Sequence, residues 1–328
     1  MKTYVVTGGA GFIGSHVTEA LLKQGHKVII IDHMNDFYDP AVKEKNLQEI
    51  KALSQKIGSE GQLLFKKADI RDEVQLQAIF AGADIAAIIH LAAYAGVRPS
   101  IENPKLYYDV NVMGTLNVLE TARKNGVKKV VFASSSSVYG NTKTVPFKES
   151  DFVDRPISPY AATKKSGELL CHTYHHLHQM DIACLRFFTV YGPRQRPDLA
   201  IHKFTKKISA GEKIPFFGDG STKRDYTYIE DIVDGVTKAL QWVEAGEGRF
   251  EVFNLGESAT ISLSQMVETI ERAVGKTALL ERLPNQPGDV KLTNAAIDKA
   301  KTMLGYQPKT EFAAGIEKFV AWFKKNKQ

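Results

Sequence analysis

Apolar and polar positions alternate with two different periods over residues 1–188. Short apolar runs rich in β-branched side chains are typical of buried strands and occupy residues 4–7, 27–31, 63–65, 85–90, 129–133 and 182–187. Helical patterns separate these runs, as at residues 11–24, where Ile13, Val17 and Leu21 form an apolar stripe, and at residues 104–124. This alternation predicts an α/β fold with a Rossmann-like, doubly wound parallel sheet.

The pattern changes after residue 188, where the elements become shorter. Glycine and proline breaks fall at residues 192–193, 218–220, 284 and 287–288, and the sequence contains no internal repeat or long linker. We therefore expect two domains, a sheet domain over residues 1–188 and a smaller α/β lobe over residues 189–328. A strand near residues 250–254 is an exception, because it can return to the main sheet.

A glycine-rich turn joins the first strand to the first helix, with Gly8, Gly11 and Gly14 in the run from residue 7 to residue 14. This spacing suits a tight turn, close approach of the backbone to a pyrophosphate, and phosphates at a helix N-terminus. Glycine also collects in ordinary turns, so the motif alone is weak. The strand before it, the helix after it and Asp32 at the end of the second strand together predict a dinucleotide site.

Asp32 indicates which dinucleotide is bound. Its carboxylate can accept hydrogen bonds from both ribose hydroxyls of the adenosine half, and it would repel a 2′-phosphate. No Arg or Lys occurs in residues 33–35, so the sequence predicts NAD rather than NADP. Asp69 and Ile70 follow the third strand and are placed to meet the adenine, although an ordinary acid at a strand end is an alternative for Asp69.

Tyr160 and Lys164 lie four residues apart, hence one turn apart on one helix face. A phenol with its ordinary pKa of about 10 is a poor base at neutral pH, but a neighbouring cation favours the phenolate. Such a pair also occurs by chance in many helices. Residues 134–137 are four serines at the end of the fifth strand, where they face the cofactor crevice, and this combination favours a catalytic site.

Composition narrows the classes of function. The chain is 43% hydrophobic and 24% charged, which is ordinary for a globular protein. Its net charge is +6, but 43 basic residues are interleaved with 37 acidic ones, which suits an anionic small substrate and does not favour nucleic acid. The histidines of residues 172–178 have helical spacing and the basic residues of 204–207 are typical of an amphipathic helix, so we expect no metal site and no nucleic-acid site there.

The first strand begins at Thr3, which leaves no room for a signal peptide. No apolar run approaches the ~18 residues expected of a membrane span. Cys171 and Cys184 are the only cysteines, which favours a reducing compartment over a disulfide framework. We therefore expect a soluble, cytoplasmic protein with no membrane partner.

Six landmarks in order resemble the extended short-chain dehydrogenase/reductase family over essentially the whole chain. They are the glycine motif, the run His90-Leu91-Ala92-Ala93, Asn111, the serine-rich strand end, the Tyr160–Lys164 pair and the run Arg224-Asp225-Tyr226. Within the family, residues 36–40, 95–98, 134–140 and 185–194 are similar to the nucleotide-sugar epimerases and most like the UDP-glucuronate 4-epimerases.

The resemblance implies a tightly bound NAD that oxidises and re-reduces C4 of a UDP-linked hexose through a 4-keto intermediate. Tyr160 is implied as the base, Ser135 as the hydroxyl relaying the proton, and Lys164 as the residue that holds the ribose and depresses the tyrosine pKa. The residues implied in NAD binding are Gly8, Gly11, Phe12, Ile13, Gly14, Asp32, Asn35, Asp69, Ile70, Leu91, Ala92, Ala93, Asn111, Tyr160, Lys164 and Phe187.

The resemblance also bears on the reaction and the sugar. Related 4,6-dehydratases carry acids at the two positions after Ser135 and uronate decarboxylases carry a Glu at the second, whereas this chain has Ser136 and Ser137. The missing acid points to epimerisation. Thr189 stands where glucose-type epimerases commonly have Asn, and the three hydroxyls could hydrogen-bond a C6 carboxylate. An alternative is that Thr189 only ends a strand.

For the UDP portion, the resemblance assigns Arg224 to the pyrophosphate, Phe217 to the uracil and Asp289 to the uridine ribose, with Arg98 as a further substrate contact. Gln286 stands where glucose epimerases often have Arg, which leaves the second phosphate contact open. Arg194 and Arg196 follow a Gly-Pro break on a loop that could reach the sugar, and an ion pair within the lobe is the alternative.

Two other functions share most of these features. The same scaffold could epimerise UDP-glucose and UDP-galactose or a UDP-N-acetylhexosamine. A non-catalytic, NAD-binding regulatory protein is the second alternative, but it would be expected to lose Ser135, Tyr160 or Lys164. A homodimer through the helices at residues 104–124 and 158–179 is also implied by the resemblance.

Overall fold

The computed structural model describes residues 1–284 and 290–326, and its centre is a seven-stranded sheet in the order β10-β6-β5-β4-β1-β2-β3. All of its strand pairs are parallel, which confirms the predicted Rossmann-like α/β fold. The strands are β1 (Thr3–Thr7), β2 (Lys27–Asp32), β3 (Leu63–Lys67), β4 (Ile85–His90), β5 (Lys129–Ser135), β6 (Asp181–Phe187), β7 (Thr189–Tyr191), β8 (Lys213–Phe217), β9 (Lys223–Tyr228), β10 (Phe250–Leu255), β11 (Thr260–Ser262) and β12 (Leu279–Leu283).

Helices cover both faces of this sheet and build most of the smaller lobe. They are α1 (Phe12–Lys23), α2 (Pro40–Lys56), α3 (Glu73–Phe80), α4 (Val97–Glu102), α5 (Pro104–Tyr108), α6 (Gly114–Lys124), α7 (Pro159–His178), α8 (Ala200–Ala210), α9 (Ile229–Glu244), α10 (Leu263–Val274), α11 (Asp298–Leu304) and α12 (Phe312–Lys325). Among the described residues, none of the helices combines the length and apolar character that crossing a membrane requires.

Capping residues and prolines mark the starts of α2 and α7, two helices beside the central crevice. Asp39 caps α2 through the backbone N–H of Ala41, and proline follows at the first helical position. Ser158 caps α7 in the same way, again with a proline after it. A side-chain acceptor satisfies one orphan N–H, and proline loses no hydrogen bond at this position. Both helix starts are therefore encoded in the sequence around them.

The strand order reverses at β1, whose neighbours are β2 on one side and β4 on the other. In an open parallel sheet this arrangement leaves a crevice at the carboxyl ends of the two strands, where ligands bind. The strand near residues 250–254 is β10, and it pairs in parallel with β6 from Phe250↔Ile182 to Leu255↔Phe187. The smaller lobe contains a three-stranded sheet in the order β11-β9-β7 and a two-stranded sheet of β12 and β8.

The helix predicted over residues 104–124 is not continuous. A π-helical segment, Asp109–Met113, lies between α5 and α6. The wider turn changes which side chains face inward, and Asn111 becomes buried. Gly114 begins α6 where a Cβ would lie 2.6 Å from the end of the Ile70 side chain, so a larger residue here would displace that side chain.

Gly14 provides a test of the packing at the glycine turn. A Cβ on this residue would lie 2.2 Å from the carbonyl oxygen of Gly8, which is backbone and cannot move aside. We expect Gly14→Ala to lower the free energy of unfolding by about 1–3 kcal/mol, measured by denaturant titration. Gly61→Ala is the matched control, since nothing lies within 4 Å of its Cβ position. Equal stabilities for the two variants would contradict this account.

Candidate active site

A cavity of about 810 Å³ opens at the carboxyl ends of β1, β4 and β5, between the main sheet and the smaller lobe. We call it the central cavity. Its volume lies in the range of about 300–1,000 Å³ that is usual for small-molecule sites. Both lobes contribute to its wall, since Asp32 and Tyr160 come from the main sheet domain and Thr189 and Arg224 from the smaller lobe.

The glycine turn forms one end of the central cavity. Gly8 has φ of +71°, and a Cβ there would lie 2.8 Å from the backbone nitrogen of Ala92, so only glycine allows the two loops to meet. Gly11 caps α1 without a side-chain hydrogen bond, so the first N–H groups of the helix face the cavity. Phe12, Ile13 and Gly14 complete this wall. The geometry fits a pyrophosphate held by backbone N–H groups.

Asp32 is buried at the end of β2 and has an unpredicted cationic partner. Its Oδ2 accepts from the backbone of Ala10, and its Oδ1 accepts from the backbone of Met34. Lys43 Nζ lies 3.2 Å from Asp32 Oδ1 and 3.0 Å from Asn35 Oδ1. Lys43 lies eleven residues after Asp32, well beyond residues 33–35, where a cation next to the ribose was expected. The signal was present, because residues 43, 46, 47, 50 and 54 follow a helical repeat and form the buried face of α2.

Asp69 and Ile70 lie on the same side of the central cavity, after β3. Asp69 pairs with Arg71 at 2.7 Å and lies 3.5 Å from His33. Burial alone would raise the pKa of Asp69, but hydrogen bonds from Arg71 outweigh burial and hold the pKa below its ordinary value. The carboxylate is therefore ionised and oriented at the adenosine end of the expected dinucleotide.

Asn111 is the one predicted cofactor residue that does not reach the cavity wall. Its amide bonds both the N–H and the carbonyl of Tyr94, at 2.8 and 2.9 Å, and donates to Thr163 Oγ1 at 3.0 Å. The π-helical turn directs it inward, so it ties the loop after β4 to α7. That loop supplies Leu91, Ala92 and Ala93 to the wall. Asn111 is thus a support for the site and not a ligand contact.

His90 ends β4 behind this loop. Its ring nitrogens lie 2.6 Å from Thr7 Oγ1 and 3.0 Å from Thr115 Oγ1. Burial lowers the pKa of His90 to about 3, so the ring is neutral and bridges two hydroxyls. This arrangement fixes the end of β4 against β1 and α6.

Tyr160, Lys164 and Ser135 meet on the cavity wall, where α7 lies against the end of β5. Burial raises the pKa of Tyr160, while hydrogen bonding by the nearby Ser135 hydroxyl and the charge of Arg196 act in the opposite direction. Burial lowers the pKa of Lys164 to about 8. The three groups form a hydroxyl relay with a nearby ammonium group.

Lys164 Nζ donates to the carbonyl of Ala133 at 2.7 Å and lies 6.0 Å from the centre of the Tyr160 ring, so its role in depressing the tyrosine pKa stays a prediction. The charge of Arg196 also lowers the pKa of the phenol, against the effect of burial. Helical spacing brings Tyr160 and Lys164 to one face, but the end of β5 supplies a closer acceptor for the ammonium group.

A patch of hydroxyls lies beside Ser135. Ser136, Ser137, Thr189 and Phe187 all line the central cavity. Ser137 Oγ is buried and has no hydrogen-bond partner. A buried hydroxyl without a partner costs free energy, and a ligand with an acceptor at this point would satisfy it.

Arg98 and Arg224 line the far end of the central cavity, where they suit an anionic group. Phe217 was predicted to contact the base of the substrate. Its ring centre lies 5.9 Å from the guanidinium carbon of Arg98, which is on the cavity wall, and its contact with the base stays a prediction. Asp289 and Gln286 lie outside the described residues.

The two arginines after β7 have different surroundings. Arg194 was predicted to contact substrate, but its guanidinium turns away from the cavity and pairs with Glu19 at 2.5 Å and Glu49 at 2.7 Å. It therefore joins the loop after β7 to α1 and α2. Arg196 does line the cavity, where it pairs with Asp198 and lies 5.1 Å from the centre of the Phe37 ring. Sequence could not separate them, because the choice depends on acids more than a hundred residues away.

The described part of the chain contains no group of three or more His, Cys, Asp or Glu side chains that could hold a metal ion. Within the histidine-rich end of α7, His172 and His175 pack against the ring of Phe250 on β10. These histidines cover the edge strand of the main sheet.

Comparisons with known proteins agree with this geometry. The model of the GDP-mannose 4,6 dehydratase family matches residues 5–319. A UDP-glucuronate 4-epimerase of Thermodesulfobacterium geofontis is 46% identical over 327 residues, which is 99% of this chain and 97% of the relative. The crystal structure of UDP-glucuronic acid 4-epimerase from Bacillus cereus, in complex with UDP-glucuronic acid and NAD, is 36% identical with a TM-score of 0.89 and covers 98% of this chain and 99% of that one.

Relatives with other sugars lie somewhat further away. UDP-glucose 4-epimerase from Thermotoga maritima, solved with UDP-glucose, is 32% identical with a TM-score of 0.87 and covers 98% of this chain and 99% of that one. The predicted family resemblance is therefore confirmed over nearly the full length. The chain belongs to the GDP-mannose 4,6 dehydratase family of extended short-chain dehydrogenase/reductases.

Proposed function

We propose that this protein is an NAD-dependent 4-epimerase that interconverts UDP-glucuronate and UDP-galacturonate through a 4-keto intermediate. The observation that carries the proposal is the hydroxyl patch of Ser136, Ser137 and Thr189, with a buried, unpaired Ser137 Oγ, next to Tyr160 and Ser135. The similarity to UDP-glucuronate 4-epimerases supports it.

The residues of the glycine end fit NAD. Apart from Asn111, every residue that the sequence assigns to the cofactor lines the central cavity. Bound NAD would accept a hydride from C4 of the sugar and return it. Backbone N–H groups at the start of α1 would hold the pyrophosphate, and Asp32 together with Lys43 would hold the ribose hydroxyls of the adenosine half. Lys164, freed from Ala133, could reach the second ribose.

The chain's own groups move the proton. Ser135 receives the proton of the sugar 4-OH and passes it to Tyr160, since both residues line the cavity and Ser135 is near enough to the phenol to act on its pKa. Arg196 favours the phenolate form by its charge, against the effect of burial. On the return step the same two hydroxyls restore the proton to the oxygen at C4. No acid follows Ser135, so the chain lacks the group that elimination of water would use.

The hydroxyl patch would bind the C6 carboxylate. Hydrogen bonds to an ionised acceptor are stronger than neutral ones, which offsets the small size of these side chains. A 4-keto uronate is a β-keto acid that loses CO₂ when its carboxylate aligns with the ketone. Holding the carboxylate at Ser136, Ser137 and Thr189 keeps it out of that alignment. Small neutral groups also leave room for the ring to turn over while Arg98 and Arg224 hold the diphosphate.

We propose the following division of labour between the domains. Residues 1–188, together with β10, hold NAD, and residues 189–328 mainly hold the UDP-sugar. This division is supported by the cavity wall, whose glycine end comes from the main sheet domain and whose Thr189 and Arg224 come from the smaller lobe. A reducing, cytoplasmic location is supported by Cys171 and Cys184, which are both free thiols.

We also propose a homodimer in which the exposed faces of α5, α6 and α7 from two subunits form a four-helix contact. Large apolar side chains on these helices and on the intervening π-helical segment are exposed, namely Tyr108, Met113, Leu169 and Leu177. An apolar strip of this kind on neighbouring helices is typical of a protein interface.

The reaction is tested with a panel of UDP-sugars and chromatography of the products. We expect UDP-glucuronate to yield UDP-galacturonate, and Tyr160→Phe to lower kcat about 10²- to 10⁴-fold with bound NAD retained. Tyr4→Phe is the matched control, because its hydroxyl bonds Glu244 at the opposite end of the sheet. If the protein converts UDP-glucose or a UDP-N-acetylhexosamine and not UDP-glucuronate, the proposed substrate is wrong and that sugar is the substrate. No turnover with any sugar would favour a regulatory protein.

The hydroxyl patch is tested with Ser137→Ala and Thr189→Ala. Each loses a hydrogen bond to a charged group, worth about 1.5–3 kcal/mol, so we expect kcat/KM for UDP-glucuronate to fall roughly 10- to 100-fold and CO₂ release to rise. Ser166→Ala is the control, since its hydroxyl bonds a carbonyl within α7. If neither rate nor CO₂ release changes in either variant, the patch does not bind the carboxylate.

The dimer is tested by light scattering at micromolar concentration. We expect a mass of two chains, and a single-chain mass for Leu169→Glu, because a charge would enter the apolar contact. Met303→Glu, on an exposed face of α11, is the control and should remain dimeric. A monomeric wild-type protein would rule out this assembly.

A further inference from the structure

A buried set of polar side chains lies behind the catalytic wall, and the mechanism above does not use it. Its centre is Glu168, one turn after Lys164 on α7. Glu168 Oε1 accepts from Ser134 Oγ at 2.6 Å and from Arg186 Nε at 2.8 Å, and Glu168 Oε2 accepts from Arg186 Nη2 at 2.9 Å. Arg186 and Glu168 are 2% and 3% exposed, so this is a bidentate ion pair removed from water.

The same set extends toward the smaller lobe. Arg186 Nη1 donates to the Tyr139 hydroxyl at 3.0 Å, and that hydroxyl donates to Asn254 Oδ1 at 2.7 Å. Asn254 Nδ2 then donates to the carbonyls of Phe147 at 2.9 Å and Ala296 at 3.1 Å. We call this series, from Ser134 through Glu168, Arg186 and Tyr139 to Asn254, the polar relay.

The two ends of the polar relay meet the two walls of the central cavity. Ser134 directly precedes Ser135 on β5, and its strand partner is Arg186. At the other end, Ala296 comes directly after Ala295, which forms a β-bridge with Phe147. Thr293, three residues before Ala296, lines the cavity. One connected network therefore holds both the catalytic hydroxyl and the wall of the smaller lobe.

Burying such a network costs desolvation free energy, so its presence needs an explanation. Replacing a buried ion pair by apolar residues of similar size is often neutral or stabilising, so stability alone does not explain Glu168 and Arg186. What a bidentate pair supplies is fixed geometry, because both partners are planar and accept only a narrow range of orientations. Here the pair connects the end of β5, through Ser134, with α7, the helix that carries Tyr160 and Lys164.

We propose that the polar relay is a positioning device for the reaction, in which Ser134, Glu168, Arg186, Tyr139 and Asn254 hold Ser135 at bonding distance from Tyr160 and hold the smaller lobe in register with both. The proposal rests on the proposed epimerase function. None of Glu168, Arg186, Tyr139 and Asn254 lines the central cavity, so these four act through Ser135 and not on the substrate.

The reaction needs this support because the sugar does not provide it. A 4-keto ring that turns over between two hydride transfers must find the same Tyr160 and Ser135 in place on both occasions. A displacement of about 1 Å at a reacting group costs roughly 100-fold in rate. Loosening Ser135 also moves its hydroxyl away from the Tyr160 phenol, where it opposes the effect of burial on the tyrosine pKa.

Ser134→Ala tests the end of the polar relay at β5, and it leaves the Glu168–Arg186 pair intact. We expect kcat for UDP-glucuronate to fall about 10- to 100-fold, with KM, bound NAD and the denaturation midpoint close to wild type. The acidic limb of the kcat profile should move to higher pH, since a raised phenol pKa leaves less phenolate at a given pH. Ser166→Ala, which removes another hydroxyl of this region, should leave kcat and its pH profile unchanged.

Tyr139→Phe tests the other end, and it removes only the hydroxyl that joins Arg186 to Asn254. The same fall in kcat at constant KM is expected, and Tyr4→Phe is its control. Lys165→Met removes a partner of Glu168 on the solvent side, 3.3 Å away, and should have no effect. If Ser134→Ala and Tyr139→Phe both keep the kcat of their controls, or change only the denaturation midpoint, the polar relay is structural and the proposal is wrong.

A measurement without substrate separates this proposal from the proposed function. The alkaline titration of Tyr160 is obtained as the absorbance difference between each protein and its Tyr160→Phe counterpart. We expect a higher midpoint in Ser134→Ala and Tyr139→Phe than in wild type, and no shift in Ser166→Ala and Tyr4→Phe. If the wild-type protein converts no UDP-sugar, the proposed function is wrong. If the titration midpoints of both Ser134→Ala and Tyr139→Phe are unshifted, the positioning role is wrong, whatever the substrate.

Discussion

The close contact between α7 and the end of β5 is the constraint on which the candidate site depends. It is possible because residue 167 is glycine: a Cβ there would lie 2.3 Å from the Phe132 ring of β5. At this separation Lys164 reaches the Ala133 carbonyl at 2.7 Å, and Tyr160 lies beside Ser135 on the cavity wall. A wider spacing would break both contacts, and the wall would lose its relay of hydroxyls.

Charge is distributed unevenly around the central cavity, and the distribution follows from what each part must do. Ion pairs such as Glu168–Arg186 and Arg194–Glu19 lie behind the wall, where they set the positions of strands and loops. Beside Tyr160 the wall carries Arg196 together with the hydroxyls of Ser136, Ser137 and Thr189, and these hydroxyls can bind a carboxylate without fixing one orientation of a ring. Firm electrostatic support and an adaptable sugar pocket are compatible because they occupy different layers.

The glycine end shows how a single long side chain can modify a motif. Asp32 alone presents a negative charge at the adenosine ribose, but Lys43 places an ammonium group 3.2 Å from its Oδ1. The pair is buried and further held by Asn35, so the carboxylate is oriented as well as partly neutralised. A ribose diol would then meet both a donor and an acceptor at this point, which suits NAD.

Short-range patterns in the sequence determined much of this protein: the parallel sheet, the glycine turn, Asp32 after β2, and the Tyr160–Lys164 face of α7. These features depend on periodicity and on backbone geometry within a few residues, so a linear reading predicts them. Only the tertiary structure decided the partners of long charged or amide side chains. Lys43 meets Asp32, Arg194 leaves the cavity for Glu19 while Arg196 stays, and Asn111 turns inward at a π-helical segment. The physical reason is that electrostatic pairing depends on distance in space, and the acids or carbonyls that compete for each side chain come from segments far away in sequence.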